Sequence, residues 1–365
     1  MTLERQLRFW LGALAGFVLF LWLFSGVLLP FVAGIALAYL LDPIADRLER
    51  LGLPRGLAAL TIVLSIFLAL VAGLILVVPL LGHQLAGLLE RLPALITRVQ
   101  ELAAPYFDGE LRKLLGGDVK SLEGGLQTAL SQGAGWITRV LQSLWNGGQA
   151  VVSVLSILVI SPVVAAYMLV DWDDMIGRID GWVPQRHRET VRLLAGRMND
   201  AVAGFVRGQV SVCIVMGLYY GLGLALVGLE FGLLIGLMAG LLGIIPYVGF
   251  GSGLVVGLIV ALVQYWPDWH GLALVAAVFA GGQVLEGYVL TPNWVGRSVG
   301  LHPVWLLFSL FAFGSLFGFV GMLIAVPAAA AIGVLARFAI EQYLASPYYL
   351  HAEDEREAAA ELRDG

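Results

Sequence analysis

A carboxylate inside an apolar run is the clearest candidate for chemistry in this chain. Glu286 lies about one turn inside an apolar stretch at 271–290, with Gln283 three residues earlier on the same helical face. Placing such a group at mid-membrane costs at least ~2.5–3.5 kcal/mol on insertion scales. Glu286 could carry a proton, bind a cation or hydrogen-bond a polar solute. The competing reading is a structural carboxylate with a partner, for which Arg207 is the candidate. Arg207-Gly208-Gln209 opens another apolar run at 208–228, where an arginine can equally snorkel to the interface. Asn293, Arg297 and His302 fall in a polar turn between interrupted apolar segments and are placed to gate access. Asp42 and Asp171 each close an apolar run, where a helix-terminal role outweighs transport.

Other chemistries lack their residues. Lys113 follows Arg112 and Lys120 follows Val119, so the Gly-Lys-Ser/Thr end of a phosphate-binding loop does not occur. Gly249-Phe250-Gly251-Ser252-Gly253 is followed by Leu254, where a dinucleotide fingerprint needs glycine. The histidines at 83, 187, 270, 302 and 351 form no His-Glu-x-x-His pair, and no Gly-x-Ser-x-Gly elbow exists. Cys213 is the one cysteine, which excludes an internal disulfide and a thiolate cluster. The formal charge of −5 carries no basic footprint for nucleic acid. The expectation is a protein that is not an enzyme and has no cofactor or metal.

The elements that must position these residues are membrane helices. Of the 365 residues, 59% are hydrophobic and 13% charged, and mean hydropathy is +0.89. Soluble domains run about 45–50% apolar and about 25% charged, so lipid must solvate part of this chain. The fold class expected is all-α, a polytopic helical bundle of about seven to ten membrane segments with an extramembrane helical insert. Spans are predicted at 9–29, 57–81, 148–170, 208–228 and 271–290. A shorter apolar stretch, 31–41, ends at Asp42-Pro43. Arg5 and Arg8 precede the first run, but no small-residue cleavage pattern follows, so a retained helix is expected there.

Two runs are interrupted and are expected to be broken helices or re-entrant hairpins. The first, 231–265, breaks at Ile245-Pro246-Tyr247-Val248-Gly249; the second, 303–336, at Gly314, Gly318 and Gly321. Such breaks at membrane depth are tolerated where the freed backbone is buried in protein or lines a cavity. Paired interruptions are also the best sequence pointer to a transporter's binding site. Glycine ladders at 232/236/240 and 249/253/257 surround the first break, fitting either tight packing or sliding.

The domain reading is six segments. These are N-terminal membrane helices at 1–81, an amphipathic insert at 82–147 and a membrane helix at 148–170. A cytoplasmic amphipathic segment at 171–207, a transport core at 208–337 and an acidic tail at 338–365 follow. Basic residues concentrate in 1–8, 42–56 and 171–207, which places these segments and the N-terminus in the cytoplasm; the acidic tail ends there too if each interrupted run returns to its starting face or crosses twice.

Taken in order, these motifs resemble the autoinducer-2 exporter family of membrane transporters. The resemblance is carried by Pro30-Phe31, Tyr39 and Asp42-Pro43, by Arg207-Gly208-Gln209, and by Ile245-Pro246-Tyr247-Val248-Gly249. Glu286-Gly287-Tyr288, Thr291-Pro292, Gly296, Gly300-Leu301-His302-Pro303, Gly318, Gly321 and Ala325-Val326-Pro327 extend it over nearly the whole chain. It implies secondary transport or export of a small solute through the bacterial inner membrane by a homo-oligomer, a pentamer by family likeness. It leaves the solute open, and it supports Glu286, Arg207 and Gln209 as site residues. A passive channel and a non-transporting scaffold built on the 82–147 insert are the alternatives. Lipid and a small-molecule or ion substrate are the expected partners.

Overall fold

Hydrocarbon offers backbone groups no water, so each segment must satisfy its own N–H and C=O groups, and a helix does so. The computed structural model describes residues 3–108, 148–295, 300–346 and Tyr349, and contains helices and no strand among them. The helices are α1 (Leu3–Leu23), α2 (Leu28–Arg50), α3 (Arg55–Asp108), α4 (Gly148–Trp182) and α5 (Arg188–Val227). They continue with α6 (Gly232–Leu242), α7 (Val248–Tyr265), α8 (Trp269–Val284), a π-helical run Leu285–Val295, and α9 (Pro303–Leu344). Among the described residues, seven helical segments are long and apolar enough to cross a membrane. The protein is an all-α, multi-pass membrane protein.

Several helix ends differ from the sequence reading. The first apolar run ends at Leu23 and turns through a 3₁₀ segment, Ser25–Val27, so 9–29 is not one helix. Asp42-Pro43 ends nothing: α2 continues through Pro43 to Arg50. Likewise Asp171 lies inside α4, which runs on to Trp182. In both places charge marks where the apolar stretch stops, while the backbone hydrogen-bond ladder carries on. The amphipathic segment before the fifth span runs straight into it, as expected, within α5. Of the insert expected at 82–147, the first part continues α3 to Asp108, and 109–147 lies outside the described residues, as does the tail from 350.

The chain divides into two compact units. One comprises residues 30–170 and 208–293; the other comprises 1–29, 171–207 and 294–365.

In the first unit, Asp42, Asp46 and Glu49 recur along one face of α2 and converge on Arg55, the first residue of α3. The guanidinium donates to Asp46 at 2.7 Å, to Glu49 at 3.0 Å and to Asp42 at 3.1 Å. Its Nε donates to the Leu169 carbonyl of α4 at 3.0 Å, so one side chain ties three helices. Beneath it an apolar cluster containing Leu41, Ala45, Ala59, Ile62 and Leu169 fills the space between those helices. Ser161 closes the other end of the seam by donating to the Pro30 carbonyl at 2.9 Å.

The same unit holds the first broken run. Helix α6 has 11 residues, about 16 Å of rise, against the ~30 Å of a hydrocarbon core. It folds back on α7 as a helical hairpin. Gly236 and Gly240 of α6 meet the backbone of α5 at Gly221 and Gly217 so closely that a Cβ on either would overlap main-chain atoms. That settles the first ladder as close backbone packing. At its outer end, Gln84 of α3 accepts from the Leu234 N–H at 3.0 Å, and Arg91 pairs with Glu230 at 2.7 Å. Gln264 accepts from the Glu230 N–H and donates to the Gly228 carbonyl, each at 2.8 Å, closing the loop before α6.

In the second unit, α9 is interrupted once. Gly318 takes φ 61° and ψ −138°, while Gly314 and Gly321, also expected to break the run, keep helical backbone. Gly321 lies directly against the Phe313 carbonyl, a contact that leaves no room for a Cβ. Arg192 of α5 grips Asp180 of α4 through two hydrogen bonds, at 2.7 and 2.6 Å.

Two stability predictions follow from these packings. Arg55→Met leaves three carboxylates facing one another and the Leu169 carbonyl without its donor. Because those carboxylates are 40–49% exposed, solvent moderates the loss to about 1–3 kcal/mol. The unfolding midpoint in detergent should fall well below that of Arg91→Met, which removes an exposed pair; an equal or smaller fall would refute the tie. Gly236→Ala should cost about 1–3 kcal/mol by forcing α5 and α6 apart, read in the same melt.

Candidate functional site

The site forms where four elements of the first unit meet. Helix α5 presents Val212, Met216 and Tyr220 at intervals of four, with Cys213 beside them, on one face. Helix α6 contributes its last turns, Ala239 and Gly240, and ends at Gly243. The break that follows supplies Tyr247, and α7 supplies Phe250. Glu286, in the π-helical run after α8, completes the wall. Together they line a cavity of about 20 Å³, room for one water-sized occupant.

Local backbone explains why these groups face inward. A π-helix is uncommon, and its wider turns often mark functional sites. Here it starts at Leu285, immediately before Glu286, so the 3.6-residue period no longer relates Glu286 to Gln283. Gln283 is exposed and is not part of the wall, against the shared face expected from their spacing. Tyr247 takes a left-handed backbone, φ 69°, as does Phe231 just before α6, φ 58°. Left-handed non-glycine residues store strain and cluster at functional sites. Tyr220 is held by Phe279, ring centroids 5.1 Å apart, and by Gly282, where a Cβ would overlap its ring.

The electrostatics have one sign. Glu286 is half-buried, no basic side chain lines the cavity, and the C-terminal end of α6 turns the negative pole of its dipole to the same place. Tyr220 is 1% exposed, and its hydroxyl has no hydrogen-bond partner among the described residues. A site of this kind favours a small cation or a proton over an anion. No group of three or more His, Cys, Asp or Glu able to hold a metal occurs among the described residues.

Gln209 supports the wall rather than lining it. It is 7% exposed, and its amide donates to the Gly243 carbonyl at 2.7 Å, satisfying the end of α6. Pro246 sits in the break, and Gly249 packs directly on the Ala239 carbonyl and Gly243. Asn293 donates to the Val289 carbonyl at 2.7 Å, within a π-helical turn where a polar turn was expected. Arg207 and His302 belong to the other unit. Arg207 is half-buried and not without a partner, and His302 caps α9 by accepting from the Val304 N–H at 3.3 Å. Arg297 lies outside the described residues.

Tyr220, Tyr247, Cys213 and Phe250 went unnoticed as site residues in the sequence. The Tyr219-Tyr220 pair inside a predicted span was the available signal, since a buried phenol needs a partner. Two further grooves are polar and open. One, about 430 Å³, lies at His83, Glu90, Arg91 and Glu230; the other, about 400 Å³, at Asp171, Asp174, Arg178 and Trp182.

Known proteins bear on this geometry. A family model described as AI-2E family transporter matches residues 11–340. YrrI of Bacillus subtilis, named as a transport protein, is 29% identical over 316 residues, 85% of each chain. PerM of Escherichia coli, named as a permease, is 28% identical over 323 residues, covering 87% of this chain and 88% of PerM. YueF of B. subtilis is 27% identical over 306 residues, 82% of this chain and 80% of YueF. None of these names specifies a solute.

Removing the amide of Gln209 tests the wall. Gln209→Leu leaves the Gly243 carbonyl without its donor, at a cost of about 1–3 kcal/mol. Hydrogen exchange at residues 243–251 should accelerate while the rest of α7 is unchanged; unaltered exchange there would show that the bond does not hold the break.

Proposed function

The chain belongs to the AI-2E transporter family, and on that footing we propose a secondary transporter that moves a small solute across the bacterial cytoplasmic membrane, driven by a proton or sodium gradient acting at Glu286. The supporting observation is a carboxylate in a small, otherwise uncharged cavity beside the end of a broken helix. Secondary transporters place ion sites at such broken helices, where helix C-termini attract cations. A purely structural carboxylate has no need of a π-helical distortion to aim it at that cavity. Arg207 completes the proposal as an interfacial arginine at the cytoplasmic boundary, with both termini on the cytoplasmic side. Export of autoinducer-2-like solutes and homo-oligomeric assembly, pentameric by resemblance, belong to the same proposal.

Sealed proteoliposomes with an internal pH-sensitive dye test it. Imposing a sodium or pH gradient should drive proton movement in the wild type and none in Glu286→Gln protein that reconstitutes normally. Movement at the wild-type rate in that variant would remove Glu286 from the mechanism. Flux that neither saturates nor follows the ion gradient would replace a transporter with a channel.

A further inference from the structure

The groove beside α3 belongs to the same unit as the carboxylate cavity and shares none of its lining residues. His83, Glu90 and Arg91 of α3 form one side, and Glu230 and Phe231, from the loop before α6, form the other. It lies where apolar segments end. Helix α5 stops at Val227, three residues before Glu230, and the apolar run of α3 stops at 81, two residues before His83. A ligand reaching the groove therefore comes from the boundary between membrane and water.

We infer that this groove binds a primary ammonium group, carried by a phospholipid headgroup or by a small free amine, with Glu90 as its counter-charge and Phe231 as the aromatic surface beside it. The inference is independent of Glu286. Charge is the first argument. Arg91 is committed to Glu230 at 2.7 Å, while Glu90 has no hydrogen bond or ion pair among the described residues. With histidine counted as neutral, the wall carries one net negative charge, which attracts a cation and repels a phosphate.

Size is the second argument. About 430 Å³ is far more than a bare ion fills and lies within the ~300–1,000 Å³ of sites for small organic ligands. The third is the ring. Phe231 has a left-handed backbone, φ 58°, and its ring lies over Gly87, where a Cβ would come within 3.2 Å of it. The ring already faces one cation, since the Arg91 guanidinium carbon is 6.0 Å from its centroid. A quaternary ammonium has no N–H to donate and is characteristically held in a cage of aromatic rings. One ring beside an uncommitted carboxylate suits a primary ammonium, whose N–H groups make charge-assisted hydrogen bonds.

Two measurements on the full-length protein separate the sources. Native mass spectrometry, after release from nanodiscs holding equal phosphatidylethanolamine and phosphatidylcholine of the same chains, reads the headgroup. Saturation-transfer NMR with ethanolamine, against choline, reads the free amine. The wild type should favour the primary amine at least about threefold in one or both, and the measurement that shows it identifies the source. Glu90→Gln should abolish the preference without moving the melting midpoint, because Glu90 is exposed. Phe231→Leu should weaken it. Glu101→Gln, which removes another exposed carboxylate of α3 outside the groove, should keep it. No preference for the primary amine in either measurement would overturn the site. So would a preference that survives Glu90→Gln, or one that Glu101→Gln removes equally, since the latter would mark a general surface charge.

Discussion

A helix that stops within a membrane-spanning bundle must hand its last carbonyls, and its first amides, to some other part of the protein. Helix α6 meets this constraint with two neighbours at its ends, while the N–H groups of Gly243, Ile244 and Ile245 cap its own last carbonyls. Phe231 precedes it with no side-chain cap, and Gln84 of α3 accepts from the Leu234 N–H in its place. At the other end Gln209 of α5 donates to the Gly243 carbonyl. Two glutamines from neighbouring helices thus hold both ends of the 11-residue α6. The cavity exists because that helix ends where it does.

The remainder of the first unit makes this exchange possible. Gln209 can reach Gly243 only because α5 and α6 approach backbone to backbone, through Gly217 and Gly221 on one side and Gly236 and Gly240 on the other. Side chains at those positions would separate the helices and carry the amide out of reach. Farther along the chain, Arg55 gathers α2, α3 and α4 through three carboxylates and a carbonyl. Its contribution is orientation as much as energy, since a fork of fixed donors admits few arrangements of its acceptors. Both devices tie helices with a few directional contacts, as they must where lipid supplies no hydrophobic drive between apolar surfaces.

Function follows from how these ties leave one region unfinished. The break after α6 carries a left-handed tyrosine, the run after α8 is π-helical, and the Tyr220 hydroxyl has no partner among the described residues. All three lie beside one carboxylate. In the other unit, among the described residues, Gly318 is where α9 changes direction, and Gly300 also has a left-handed φ.

Much of this was legible in the sequence because the membrane imposes one-dimensional rules. Apolar run length gives helices and spans, interruptions by proline and glycine give the broken segments, and a lone carboxylate among apolar residues gives Glu286. The Arg55 tie was hidden, because the sequence after Asp42-Pro43 looks like a polar turn, and only the helix continued to Arg50 puts Asp42, Asp46 and Glu49 on one face. Charge misled at Asp42 and Asp171, where polarity ends an apolar run without ending a helix. Helical spacing misled at Gln283, because the π-helical run changes the period between it and Glu286. The sequence by itself determined that this chain crosses a membrane as helices and buries a carboxylate, since both follow from composition along the chain. Only the tertiary structure decided that Tyr220, Tyr247 and the end of α6 share a cavity with that carboxylate. Those contacts join residues far apart in sequence, and no local period encodes them.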